Sequence, residues 1–428
     1  MWHRKKRSEG LATVKQEGAH KSKKVGFVDG VRGLGALVVV FHHFSWAFLP
    51  AMVGGDFALA HLRVEKLVYD SPLYLMIAGG FAVCMFFVLS GFALSYKFFQ
   101  TQRHEEVTSG AVRRYFRLAP VVVTAVMLSC GLLALGLYFN NQAYVASASP
   151  WLKASWQGSA SFIDALKFGL YGVFFGNSHG AEVSRYDNVL WTMQVEFFGS
   201  FMVFAFLAIF GRQPRRWIAY IVALFLLRNT YYLGFAFGVA LCDWYVMMQQ
   251  RERLPESKIL GYPLLIGGLA TGCLALAQPR IWLLGAAGAL AGVVLLPSAQ
   301  RLLGRRPVRY LGRVSFSLYV VHLLILASLG CWLFVHLQRH LTYGVAVAAT
   351  GLVCLPLIFL AAEGLTRWVD APAIKYSGVL YRRWFAGKRT ADETFMPAPA
   401  LTPTLEAVPV PVALEMPIRA SDMMIGDE

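Results

Sequence analysis

The chain is poor in charge. Of its 428 residues, 15% are Asp, Glu, Lys or Arg, against roughly 25% in an ordinary soluble domain, and 57% are hydrophobic. So little charge cannot cover a water-facing surface of this size, which excludes a soluble enzyme carrying one anchor. Acidic side chains are the scarcer sign, 24 against 40 basic, for a net charge of +16. The six cysteines (Cys84, Cys130, Cys242, Cys273, Cys331, Cys354) form no Cys-x-x-Cys pair and all fall in apolar runs, so they read as packing residues rather than a disulfide framework or zinc site. No catalytic metal is suggested. There is no Asn-x-Ser/Thr sequon. No internal repeat argues for a carrier built from two similar halves. The first 32 residues lack the apolar core of a cleavable signal peptide.

What is present is a series of apolar blocks long enough to cross the ~30 Å of a bilayer's hydrocarbon. They predict an all-α fold, a polytopic membrane helix bundle of about ten spans: 33–50, 73–95, 119–139, 189–210, 217–228, 231–248, 259–277, 281–297, 314–336 and 342–363. The fifth, WIAYIVALFLLR, is short for a full crossing. With the amino end in the cytoplasm, most of the 40 basic residues fall in cytoplasmic segments, although the opposite side holds the long stretch 140–188. That asymmetry places both termini in the cytoplasm and explains the basic balance as topology, with no nucleic acid among the partners. Three regions follow: a basic cytoplasmic tail over 1–26, a transmembrane domain over 27–375, and a Pro-rich cytoplasmic tail over 376–428, expected to be disordered.

Ionisable residues within the blocks are the functional candidates, because desolvating them is costly. In RGLGALVVVFHH, Arg32 precedes His43 by eleven residues, about three helical turns and ~16 Å, so the two share one helix face. His42 points about 100° away. Glu196 lies in LWTMQVEFFGSF with Thr192 one turn from it, and must be protonated or paired. Ser315, Tyr319 and His322 form a polar stripe within about 60° on the ninth span, which lines a pocket or cross-links helices. Arg113, Arg114 and Arg117 stand at the cytoplasmic start of the third span. Of these, Arg114 and Arg117 are spaced to project from one helix side.

Taken in order, the local strings resemble the acyltransferase 3 family of integral-membrane, acyl-CoA-dependent O-acyltransferases. FVDGVRGLGALVVVFHHF is similar to that family's opening signature. FFVLSGFALSYKFF, RRYFRLAP, LWTMQVEFFG, YLGRVSFSLYVVH and WVDAPA are similar to its later blocks, covering Phe27 to about Ala373. Two positions depart from its pattern. Asp370 stands where Glu is common, and His42 stands where an aromatic usually precedes the histidine.

The resemblance implies transfer of an acetyl or other short acyl group from acyl-CoA to a hydroxyl. The acceptor would be a carbohydrate or a small, secondary-metabolite-like molecule. No bound cofactor is implied; acyl-CoA, with acetyl-CoA first, is the co-substrate. The chemistry needs a base for the hydroxyl proton and positive charge for the donor and the developing oxyanion. A neutral imidazole in an apolar bundle suits the first task, so His43 is the expected catalytic base, with His42 the lesser candidate. Arg32, Arg114 and Arg117 are expected to hold the phosphates of CoA, which guanidinium forks bind bidentately. Glu196 is expected at the catalytic centre, orienting the imidazole, holding the acceptor hydroxyl or locking helices. Ser315, Tyr319 and His322 are expected on the acceptor side. Direct attack and a transient acyl-enzyme both fit. A proton-coupled organic-anion transporter is the competing class, since it too uses buried carboxylates and histidines. A non-turnover sensor is a third. The clustering of arginines on one side of His43 favours the enzyme.

Overall fold

The computed structural model describes residues 25–177, 180–252, 256–275 and 278–385, and the account concerns the compact unit that ends at Trp384. The basic tail up to residue 24 and the Pro-rich tail from residue 386 lie outside the described residues. Among the described residues every regular element is helical, as the apolar periodicity predicts. The main helices are α1 (Gly26–Phe48), α2 (Gly79–Thr101), α3 (His104–Ala134), α4 (Asn188–Phe210), α5 (Arg216–Leu227), α6 (Tyr232–Gln250), α7 (Lys258–Gly272), α8 (Pro279–Leu295), α9 (Arg306–Gln338) and α10 (Tyr343–Phe385).

Each of the ten apolar intervals therefore holds a helix, but not each helix can cross a bilayer. Six of those described (α1, α2, α3, α4, α9 and α10) are long and apolar enough. The count becomes seven if α8 and the following Pro297–Leu303, bent by 101° against it, make one broken span. At 1.5 Å per residue the 12 residues of α5 reach only about 18 Å and the 15 of α7 about 22 Å, short of the ~30 Å core. The 19-residue α6 is long enough but is diluted by Gly234, Gly238, Asp243 and its Gln249–Gln250 end, and it falls below the apolar content of the six. A second difference concerns the carboxy end. Residues 376–385, read as the start of a structureless tail, continue the helix Ala371–Phe385. That stretch, YSGVLYRRWF, holds no proline; the Pro-rich composition begins only beyond it.

Two crossings fix the site. In lipid there is little hydrophobic gain from helix association, so close packing through small residues takes its place. A Cβ on Gly33 of α1 would lie 2.4 Å from the Gly312 backbone nitrogen of α9, and one on Gly312 would lie 2.2 Å from the Asp29 carbonyl oxygen. The two backbones thus touch near the Arg32 end, and the helices run on side by side toward His43 and His322. At the opposite end, short helices between α3 and α4, including Asn140–Ser147 and Pro150–Ala154, cap the bundle. They are tied to α1 by Ser149 Oγ donating to the Trp46 carbonyl at 2.6 Å. Asn140 Nδ2 braces the cap internally, donating to the Leu152 and Ser155 carbonyls at 3.0 and 2.8 Å.

Candidate active site

His43 and His322 meet across the α1–α9 contact, with His322 Nε2 and His43 Nδ1 3.1 Å apart. Their other partners set the tautomers. His43 Nδ1 lies 3.0 Å from the Val39 carbonyl and His322 Nδ1 lies 3.1 Å from the Leu318 carbonyl. A carbonyl oxygen only accepts, so each Nδ1 carries the ring proton when the rings are neutral. His322 Nε2 then has a free lone pair and accepts from His43 Nδ1–H. The lone pair of His43 Nε2 is left without a partner among the described residues, which is the state a general base requires. His322 is fully buried, whereas His43 is only half-buried and so faces accessible space. His42 is engaged elsewhere: its Nδ1 donates to the Ile77 carbonyl at 2.8 Å. The ring also packs so tightly on Gly79 that a Cβ there would lie 2.5 Å from it.

The remaining residues of the ninth-span stripe are committed to internal bonds. Ser315 Oγ donates to the Gly312 carbonyl at 2.9 Å. The Tyr319 hydroxyl bonds the Val189 carbonyl at 3.0 Å and Thr192 Oγ1 at 2.9 Å. Both side chains are buried. Their role in this geometry is to dock α9 on the start of α4 and so to place His322. Asp187, fully buried just before α4, accepts from the Val189 amide at 3.3 Å through Oδ1, while Oδ2 has no partner among the described residues. Burial holds its carboxyl well above the usual carboxylate range.

Toward the Arg32 end the structure gathers the expected cations. Arg114 is buried, its guanidinium paired with Glu196, and Ser90 Oγ donates to the same carboxylate oxygen at 2.7 Å. Glu196 is thus brought to Arg114 and Ser90, while His43 is hydrogen-bonded to Val39 and His322. Arg32 pairs with Asp29 at 3.1 Å and keeps about a third of its side chain exposed. Arg117 is exposed and has no hydrogen bond or ion pair among the described residues; it stands within electrostatic reach of Arg32, Arg114 and Asp370. Arg114 and Arg117 therefore do not form one fork: the first turns inward as a buried anchor and the second stays open to a ligand. Asp370 is buried beside them with Oδ1 unpartnered among the described residues. Among those residues no group of three or more His, Cys, Asp or Glu is arranged to hold a metal.

Sequence reasoning missed two participants, Ser90 and Trp151, and the pairing of one it had named, His322. Ser90 carried a weak signal, a lone hydroxyl in the apolar run FFVLSGF. The pairing of His322 with His43 depends on helix register across the bundle. Trp151, whose ring lies 5.4 Å from that of His43, is placed by the loop bonds of Ser149 and Asn140, and no periodicity marks it.

Comparison with known proteins places these residues in a family. The Acyltransferase domain of the acyltransferase 3 family matches residues 25–361. The O-acetyltransferase PaAT-1 of Phomopsis amygdali is 26% identical, over 83% of this chain and 84% of that protein. Acyltransferase clz18 of Cochliobolus lunatus is 20% identical, over 83% of this chain and 95% of its own. No solved structure matches. The family match takes in well over half of the sequence, including both members of the histidine pair and all three arginines, and the chain belongs to the acyltransferase 3 family: it is a multi-pass membrane acyltransferase.

Proposed function

We propose that the protein transfers an acetyl or other short acyl group from acyl-CoA to a hydroxyl of a carbohydrate or small-molecule acceptor, with His43 as the base. The observation that carries this reading is the tautomer chain, which leaves the lone pair of His43 Nε2 free on a half-buried ring. The acceptor hydroxyl gives its proton to His43 Nε2 as its oxygen bonds to the thioester carbonyl carbon. The carbon–sulfur bond then breaks, and the proton passes from His43 to the departing CoA thiolate. His322 Nε2, accepting from His43 Nδ1–H, steadies the imidazolium formed between those steps. Arg32 and the open Arg117 bind the phosphates of CoA, while Glu196 and Ser90 hold Arg114 in its buried position beside them. Acetyl is the first donor to try, given the O-acetyltransferase among the relatives. The distribution of basic residues supports both termini on the cytoplasmic side.

The test is release of CoA from labelled acetyl-CoA by the purified protein, with a hydroxyl acceptor present. His43→Ala should lower turnover at least ~10³-fold, the scale of general-base catalysis, with CoA affinity kept. His42→Ala should retain most of the rate. Full turnover by His43→Ala removes the assignment.

A further inference from the structure

Arg32 lies about three turns before His43 on α1 and Trp46 about one turn beyond it, so the Trp46 end is the space left for the acceptor. Four half-buried rings line that space: His42, His43 and Trp46 from α1, and Trp151 from the capping helix Pro150–Ala154. Trp151 lies 5.4 Å from His43 and is stacked at 28° on Trp46, with centroids 6.3 Å apart. A third indole, the buried Trp156, backs Trp151 edge-on at 5.3 Å. At 6.3 Å the stacked pair has no room for a guest ring between them, so a guest lies against the free faces. The platform is held rigidly. Ser149 Oγ donates to the Trp46 carbonyl at 2.6 Å, and Asn188 Nδ2 to Ser155 Oγ at 2.8 Å. The Trp156 amide donates to the Ser184 carbonyl at 2.8 Å. Such bonding is more than a surface loop needs and fixes one tryptophan beside the reactive nitrogen.

The neighbours of Trp151 are rings: His43, Trp46 and Trp156. Lys153, two residues from Trp151, lies over the Tyr144 ring at 5.3 Å and is exposed. Asp187 is buried, and burial holds its carboxyl well above the usual carboxylate range.

We infer that Trp151, with Trp46, is the acceptor platform and makes the enzyme selective for uncharged alcohols that carry a ring. A saturated or aromatic ring lays a broad apolar face on an indole, and a pre-fixed tryptophan gives that contact without the cost of ordering it. A carboxylate on the acceptor would be desolvated against the indole faces. This inference rests on the acyltransfer reading above and adds the acceptor class to it.

The experiment uses the full-length purified protein, labelled acetyl-CoA, and three probe alcohols: cyclohexanol, 1-hexanol and trans-4-hydroxycyclohexanecarboxylate. Cyclohexanol should be the best acceptor and the carboxylate the worst. Trp151→Ala and Trp151→Leu should each raise the KM for cyclohexanol about tenfold and that for 1-hexanol less than about threefold, with the KM for acetyl-CoA unchanged. Trp151→Phe, which keeps an aromatic face, should stay within about threefold of wild type. Because leucine keeps the site apolar and filled, it separates loss of the ring from loss of folding. An unchanged cyclohexanol KM overturns the inference, as do equal shifts for the two neutral alcohols, a shifted acetyl-CoA KM, or good turnover of the carboxylate. Should the wild type release no CoA with any acceptor, the acyltransfer reading falls and this inference with it. CoA release that is indifferent to Trp151 sinks the inference alone.

Discussion

Glu196 carries a carboxylate into an apolar helix, and the cost of that placement decides what the residue does. Its side chain is 15% exposed and that of its partner Arg114 is 8% exposed, so both charges are largely removed from water. Such a pair gives little net stability, because desolvation offsets most of the attraction, but breaking it from one side leaves an unanswered charge. Arg114 Nε has no partner among the described residues, so little else is there to compensate. Glu196→Gln keeps the shape and the bond from Ser90 but leaves the guanidinium unpaired. It should cost about 3 kcal/mol of stability and weaken CoA binding, read by thermal denaturation in detergent and by CoA titration. Adding Arg114→Met to that variant should return most of the stability but not the CoA affinity. A Gln variant with wild-type melting and wild-type affinity would contradict the ion-pair role.

Helix α1 shows what one element contributes and how far its residues can be read in advance. The Arg32–His43 spacing was legible because both residues lie on one helix, where 100° per residue settles the face. The histidine's partner was not, since it comes from α9 and depends on the register of the crossing. That register is held by Gly33 and Gly312, whose need for close approach leaves no periodic trace. Glu196 was legible as a costly carboxylate, but its choice of Arg114 over an imidazole rests on α3 and α4 packing together, which no single run reveals. The crossing itself is testable. Gly312→Ala puts a methyl 2.2 Å from the Asp29 carbonyl oxygen, and backbone cannot swing aside as a side chain can. The helices must part, at a cost of about 1–3 kcal/mol as for other overpacked sites, and the His43–His322 contact must lengthen. Gly312→Ala should therefore lower the melting temperature and reduce turnover, whereas Gly54→Ala, with open space around its Cβ position, should do neither. Equal behaviour of the two variants would show that the crossing does not hold the histidines.

Across the whole molecule, six of the described helices, or seven with the bent pair, are long and apolar enough to cross, against ten apolar runs. Hydropathy counts runs without seeing that α5 is too short or that the chain turns by 101° after α8. It did capture the feature that gives the enzyme its polarity, the concentration of arginines at one end. Arg32 and Arg117 stand at that end, and Trp46 of the Trp46–Trp151 platform stands beyond His43, ~21 Å along α1 from Arg32. The donor and acceptor of the proposed reaction then approach one catalytic pair from opposite ends of the bundle. In proteoliposomes sorted by orientation, acetyl-CoA should support turnover only from the face that carries the termini. CoA is membrane-impermeant, so the wrong face should give no more than the leak rate. Arg117→Ala should raise the KM for acetyl-CoA about tenfold from the productive face, or about 1.4 kcal/mol of donor binding, with kcat nearly unchanged. Lysine at that position should rescue it poorly, because a point charge replaces a planar fork on a phosphate. Equal rates from both faces would mean that the arginines serve only to orient the chain in the bilayer, and the donor would have to be placed elsewhere.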